Sequence, residues 1–191
     1  MALLSVSRAH TGSDMQQRPF FITMLLILWI IVTYGVSCAE TPQEFKVKAS
    51  YLLNMPRFAD WPASTSGNQS FKICTIGETP LFDLLVSMKD LRIKNHPVLV
   101  LSINEIAQAN ECQVLFIAAS ERYRLQRLLP EAHKLKIMTI SDMRDFSKLG
   151  GIIALVSVNN RITYDLNLVT ARSAGITFNS QILKLANDVI N

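Results

Sequence analysis

An unbroken apolar run over residues 20–32 gives way, after Ala39, to segments whose apolar residues recur at helical or strand periods. Over residues 44–60, Phe45, Val47, Tyr51, Leu52, Met55 and Phe58 return at roughly helical spacing, with Lys46 and Lys48 between them, which predicts a helix. Pro56 should kink or interrupt that helix near its end. Trp61-Pro62 closes the element, and the small polar residues 63–70 predict a loop. From there the pattern alternates. Residues 71–76 read as a strand that stops at Gly77, and residues 80–89 as an amphipathic helix with Leu81, Leu84, Leu85 and Met88 inward. A short strand at 98–101, a brief polar helical segment at 104–110 and a continuous apolar strand at 114–118 follow. Residues 120–129 read as a helix capped by Ser120, with Pro130 past its end, and residues 136–140 as another strand.

Strands alternating with short helices predict a mostly parallel sheet covered on both faces, an α/β three-layer sandwich of Rossmann-like type. The all-apolar strand at 114–118 fits its doubly buried centre. The tail differs. Residues 152–158 and 161–166 flank Asn159-Asn160, a two-residue turn, so the sheet should end in an antiparallel hairpin. A helix at 168–174 is stopped by Gly175, and residues 180–190 read as a last helix with Ile182, Leu183, Leu185, Ala186 and Val189 inward.

The leading run carries the first functional information. Arg8 and Arg18 precede it, and small residues, Gly35-Val36-Ser37-Cys38-Ala39, end it before the chain turns polar. This is the layout of a secretory signal peptide, residues 1–39, cleaved after Ala39. Two other readings stay open: an uncleaved inner-membrane anchor, because residues 20–39 just reach bilayer length, and a lipid-modified Cys38. All three export the remainder, residues 40–191, a length suited to one domain with its own core. That remainder carries 17 basic against 14 acidic residues, mixed along the chain. So mild an excess gives no nucleic-acid surface. Cys74 and Cys112 remain in it. In an oxidising compartment they can form one disulfide, and two buried free thiols are the alternative.

Candidate chemistry is sparse. His10 lies in the leader, while His96 and His133 sit beside proline-marked or polar turns. No His pair stands at metal-ligand spacing, no Gly-x-Ser-x-Gly elbow is present, and Asp142, Asp145 and Asp165 fall on separate elements. Gly77-Glu78-Thr79-Pro80 lacks the further glycines of a phosphate loop, and Gly150-Gly151 reads as an unusual backbone entry to the hairpin. No metal, cofactor or catalytic set is expected, so the chain reads as a binding protein rather than an enzyme. Trp61, at an element end, is either an interface residue or a plug on the core. Phe146, alone in a polar loop, is either an exposed anchor for a partner or an inward-turned ring. A small-solute binding module, using the crevice that open parallel sheets provide, is the alternative to a protein-binding role.

Several segments together resemble one family. They are Tyr51-Leu52-Leu53-Asn54-Met55-Pro56-Arg57-Phe58-Ala59-Asp60-Trp61-Pro62, Cys112-Gln113-Val114-Leu115-Phe116-Ile117, Gly150-Gly151-Ile152-Ile153, Asp165-Leu166-Asn167-Leu168, Ala174-Gly175-Ile176 and Ser180-Gln181-Ile182-Leu183-Lys184-Leu185-Ala186. Their order, from about residue 44 to 189, is similar to that of the YfiR/HmsC-like family of exported bacterial proteins. The resemblance implies a periplasmic regulator that represses an inner-membrane diguanylate cyclase by binding its periplasmic sensor domain. It would thereby lower cyclic di-GMP and biofilm or exopolysaccharide output. It also implies an outer-membrane-linked lipoprotein that sequesters the regulator, and an α/β fold that is often a homodimer. By the same resemblance, Cys74 and Cys112 match a structural disulfide, and Phe146 and Gln181 match the partner surface. The family's second cysteine pair, around residues 141–147, has no counterpart here.

Overall fold

The computed structural model describes residues 42–61, 70–88 and 90–191. The expected leader (1–39), Pro62 with loop residues 63–69, and Lys89 at the end of a predicted helix lie outside them. The first helix, α1 (Pro42–Asn54), runs into a 3₁₀ turn (Met55–Phe58). The change comes where Pro56 removes a helical N–H donor, so the single helix expected over 44–60 ends early. The chain then enters a two-residue strand β1 (Ala59–Asp60).

The main sheet takes β2 (Phe71–Ile76), β3 (Arg92–Ile93), β4 (His96–Ile103), β5 (Val114–Ile117), β6 (Met138–Ser141), β7 (Ile153–Val158), β8 (Arg161–Asn167) and β10 (Asp188–Ile190). Their order is β10-β8-β7-β6-β5-β2-β4-β3. From β4 to β7 all neighbours are parallel. β8 returns antiparallel to β7 through Asn159 and Asn160, both at positive φ, as the two-residue turn requires. A separate small ladder pairs β1 with β9 (Thr177–Phe178).

Strand residues alternate between two cores. On one face, Ile73, Val114, Phe116, Met138, Ile140 and Ile153 pack under α1, α2 (Leu81–Ser87), α4 (Leu168–Ser173) and α5 (Ser180–Leu185). On the other, Cys74, Ile76, Leu115 and Ile117 pack under α3 (Leu125–Lys134). The period of two thus sends neighbours in β5 to opposite layers, and the expected Rossmann-like three-layer α/β sandwich is what forms.

Three elements depart from the pattern reading. The helix expected over 120–129 is a 3₁₀ turn (Ala119–Arg124) followed by α3, which contains Pro130. Leu125, Leu128, Leu129 and Ala132 are all buried and recur at one helical face, and that burial outweighs the donor missing at exposed Pro130. Ser120 caps no helix; its Oγ accepts the Glu78 N–H at 2.9 Å. The last helix stops at Leu185, and β10 pairs parallel with β8 instead. Asn187 fixes that switch: its N–H donates to Tyr164 O (2.8 Å) and its side-chain amide to Asp165 Oδ1 (2.7 Å). Finally, β3 and β4 form a hairpin about Lys94-Asn95, both at positive φ, which extends β4 beyond the expected 98–101.

Candidate functional site

An apolar groove of about 510 Å³ lies between α1 and α5. Val47, Ser50, Tyr51 and Asn54 of α1, with Met55 and Phe58 of the 3₁₀ turn, form one wall. Gln181, Ile182, Lys184 and Leu185 of α5 form the other, and Tyr164 of β8 lies between them. Local chemistry holds both walls. Asn179 caps α5, its Oδ1 accepting from Gln181 N (3.0 Å) and Ile182 N (3.4 Å), and its own N–H donates to Phe58 O (3.0 Å). Tyr164 Oη donates to Ile182 O at 2.6 Å, and Tyr51 Oη to Ile162 O at 3.0 Å. The two rings meet edge to face at 5.6 Å. Burial pushes the Tyr164 hydroxyl up to about 12, with a smaller contribution from Tyr51, whose own hydroxyl is raised by burial. Both therefore stay neutral donors at physiological pH. Leu185 is 72% exposed at the rim, and Gln181 and Lys184 are exposed beside it.

The three residues expected on a partner surface separate. Gln181 lines the groove. Trp61 does not; it is half-buried, its ring edge-on to Phe71 at 5.6 Å, with Lys94 Nζ 5.7 Å from its centroid. Phe146 is fully buried in the α3-side core, so the exposed-anchor reading is corrected to the inward-turned ring. The physical reason is the double glycine. A Cβ on Gly151 would fall 2.1 Å from the Phe146 ring, so only glycine lets the ring lie against the backbone there. Gly150, at φ +102°, supplies the turn into that contact. Asn167 ties the same loop, its Nδ2 donating to Ser147 O at 2.8 Å.

Cys74 and Cys112 form a disulfide with Cα atoms 6.0 Å apart, both buried in the α3-side core. At the carboxyl ends of β2 and β5, an end at which open parallel sheets can offer a solute crevice, the connecting turns pack closely on one another. A Cβ on Gly77 would fall 2.6 Å from both Ser120 Oγ and Glu121 Cγ. Sequence reasoning missed Lys48, which is 2% exposed and reaches Asp142 Oδ2 (3.0 Å) and Glu44 (3.5 Å) beside a polar cleft of about 360 Å³. It also missed the groove itself. The signal was present in α1 and the 3₁₀ turn after it, where Val47, Tyr51 and Phe58 line the groove beside the stripe that Ala49 and Leu52 bury. Among the described residues no cluster of His, Cys, Asp or Glu is arranged to hold a metal ion, and no helix is long and apolar enough to cross a membrane.

The fold and its groove define a Rossmann-like α/β domain with an apolar surface cleft. The chain belongs to the YfiR/HmsC-like family, whose model matches residues 45–187. Members of that family are periplasmic regulators in the diguanylate cyclase pathway rather than enzymes. The chain matches no curated protein. Among solved structures it is similar to a conserved domain protein from Vibrio cholerae O1 biovar El Tor, at 12% identity and a TM-score of 0.51, covering 78% of this chain and 60% of that one. It is also similar to an ABC domain from Streptococcus pneumonia in complex with L-Trp, at 9% identity and a TM-score of 0.46, covering 63% and 55%. The chain thus spans little more than half the length of either.

Proposed function

We propose that residues 1–39 export this chain and that its domain represses an inner-membrane diguanylate cyclase by seating the cyclase's periplasmic sensor domain in the α1–α5 groove. The observation that carries the reading is the groove's composition. An apolar cleft with a few exposed polar groups at its rim is what an inserted side chain or helix face from a partner requires. Gln181, expected on the partner surface, lies on its wall. Control works by population shift. A regulator that prefers the inhibited sensor state tenfold biases the equilibrium by about 1.4 kcal/mol. An outer-membrane-linked lipoprotein would relieve repression by competing for the regulator, and lower cyclic di-GMP would reduce biofilm and exopolysaccharide output. The test is Leu185→Asp, which places a charge in the groove at an exposed position. The variant should fold normally by circular dichroism yet fail to lower cyclic di-GMP when it replaces the native chain. Full repression by this variant would remove the groove from the mechanism.

The second reading is a periplasmic small-solute sensor. The groove's volume lies within the range of ligand pockets, and this favours it. Thermal-shift screening with metabolites separates the two readings, because a solute site would raise the melting temperature without any partner protein.

A further inference from the structure

The layer of α3 lies across the sheet from the α1–α5 groove. Charges of both signs occur throughout residues 40–191, but the positive excess comes from one stretch. Residues 119–150 carry seven Lys and Arg against four Asp and Glu, whereas the rest of residues 40–191 carry ten of each. The fold puts that stretch on one surface. Leu125, Leu128, Leu129 and Ala132 turn α3 towards the sheet, so Arg127 and Lys134 point away from it and are exposed. Arg122 before α3 and Lys136 after it are exposed too and make no ion pair among the described residues. Arg124 is taken up by Glu121 at 2.7 Å and Glu105 at 3.2 Å. The remaining pairs, Arg127 with Glu105 (3.5 Å) and Lys134 with Glu131 (2.7 Å), join side chains at least 45% exposed, and pairs so hydrated hold weakly. Apolar side chains stand among the cations. Tyr123 is 98% exposed and Leu149 51%. Both line one shallow hollow beside Arg122 and His133. His133 Nε2 donates to Gly150 O at 2.9 Å, which holds the Leu149 loop against α3.

We propose that this face docks on an anionic phospholipid surface, the periplasmic side of the inner membrane. Its make-up argues for that occupant. A single small anion needs cations that converge on one point, and these are strung along α3 and its flanks instead. Spread cations with a tyrosine and a leucine between them suit a headgroup layer. The cations exchange their weak intramolecular pairs for lipid phosphates, while the Tyr123 ring and Leu149 enter the boundary above the acyl chains. Tyrosine belongs at that depth because its ring is apolar and its hydroxyl polar. A net of three charges and two inserted side chains gives reversible contact rather than permanent anchoring. The groove, on the other layer of the sandwich, stays clear of the bilayer. Docking would hold a regulator close to any target in the same membrane and so raise its effective concentration there. The proposal rests on the charge and exposure of the α3 face and not on what the groove holds.

The test is vesicle flotation of the exported protein purified from the periplasm. Vesicles of phosphatidylcholine with about 40% phosphatidylglycerol should bind it at least tenfold more tightly than phosphatidylcholine alone, and about 0.5 M sodium chloride should release it. Arg122→Glu/Arg127→Glu should weaken that binding at least tenfold with an unchanged circular dichroism spectrum. Lys46→Glu/Arg161→Glu, which changes the net charge equally at exposed positions outside the α3 face, should bind within about twofold of the native chain. Tyr123→Ser should weaken binding about threefold and leave the salt dependence as it was. All these chains share one N-terminus, so differences among them read the face and not a retained leader. If the Arg122→Glu/Arg127→Glu variant does not fold, Tyr123→Ser and the comparison of the two vesicle types decide. Equal binding to both vesicle types overturns the proposal, as does equal loss in the two charge-reversal variants, which would make the effect one of net charge alone. Release by millimolar inorganic phosphate at constant ionic strength overturns it too, by giving the cations to a free anion. Leu185→Asp should bind vesicles as the native chain does, so failure of the groove reading leaves this result unchanged.

Discussion

Removing the Cys74–Cys112 bridge probes the exported state and the α3-side core together. The cysteines are separated by 38 positions, and the loop they close holds α2, β3 and β4. Closing a loop of that size withdraws unfolded-state entropy worth about 4 kcal/mol at 25 °C in the chain-entropy model. Cys74 is fully buried and Cys112 is 5% exposed, so truncating both to alanine adds a small packing loss to the lost cross-link. A typical domain has a stability of about 5–15 kcal/mol, so the change consumes a large part of the margin. At about 2–4 °C per kcal/mol for this size, it should lower the melting temperature by roughly 8–15 °C. The assay is urea unfolding of the oxidised chain, the reduced chain and the Cys74→Ala/Cys112→Ala double variant, with thiol titration of each. Reduction should require prior unfolding, because neither sulfur is open to solvent. Unfolding free energies within about 0.5 kcal/mol of one another would refute the reasoning, since the chain-entropy model puts a cross-link of this span near 4 kcal/mol. Free thiols at both positions in protein taken from the periplasm would refute it independently.

Two further predictions concern buried polar groups. Lys48→Met leaves Asp142, whose Oδ1 has no hydrogen-bond partner among the described residues, without its 3.0 Å partner, and should cost about 3–5 kcal/mol in urea unfolding. Adding Asp142→Leu should recover most of that loss, and a double variant as unstable as the single one would show that the pair is not the cause. Tyr164 makes a pH prediction. An unfolded tyrosine ionises near 10, whereas this one ionises near 12 in the fold. Only the unfolded chain releases that proton in between, so the Tyr164 contribution to stability, read as the native chain minus Tyr164→Phe, should be constant below pH 10 and then fall by about 1.4 kcal/mol per pH unit towards 12. The ultraviolet phenolate titration of the native chain minus that of Tyr164→Phe should show its step near 12; a step near 10 would contradict the burial.

The pattern of apolar residues made the layer order legible because it rests on periodicity, which the central strands keep in the folded sheet. The doubly buried β5, the hairpin at Asn159-Asn160 and the parallel centre all follow from it. What periodicity missed was decided by long-range partners. Residues 186–190 carry an apolar pattern that suits a helix, but the open side of β8 and the Asn187 hydrogen bonds take them as a strand. Pro130 looked like a stop because propensity is local, while the burial that overrides it comes from the sheet. Gln181, which lines the groove, had been singled out only through resemblance, and the disulfide was one of two readings that the cysteines allowed. Phe146 could not be placed from the sequence, because its direction is set by contact with Gly151, and no residue spacing encodes that contact.

The groove shares its walls with the hydrophobic interior. Met55 and Ile182 line the cleft, yet they are 3% and 2% exposed and belong to the main cluster beneath it. If the groove holds the sensor domain as proposed, their shape cannot drift to suit a new partner without loosening the seal between the first helix and the last. Adaptation is therefore channelled to the few wall positions that solvent already reaches, chiefly Asn54, Gln181, Lys184 and Leu185. Relatives that answer to different partners should differ there, while the residues underneath stay fixed by packing.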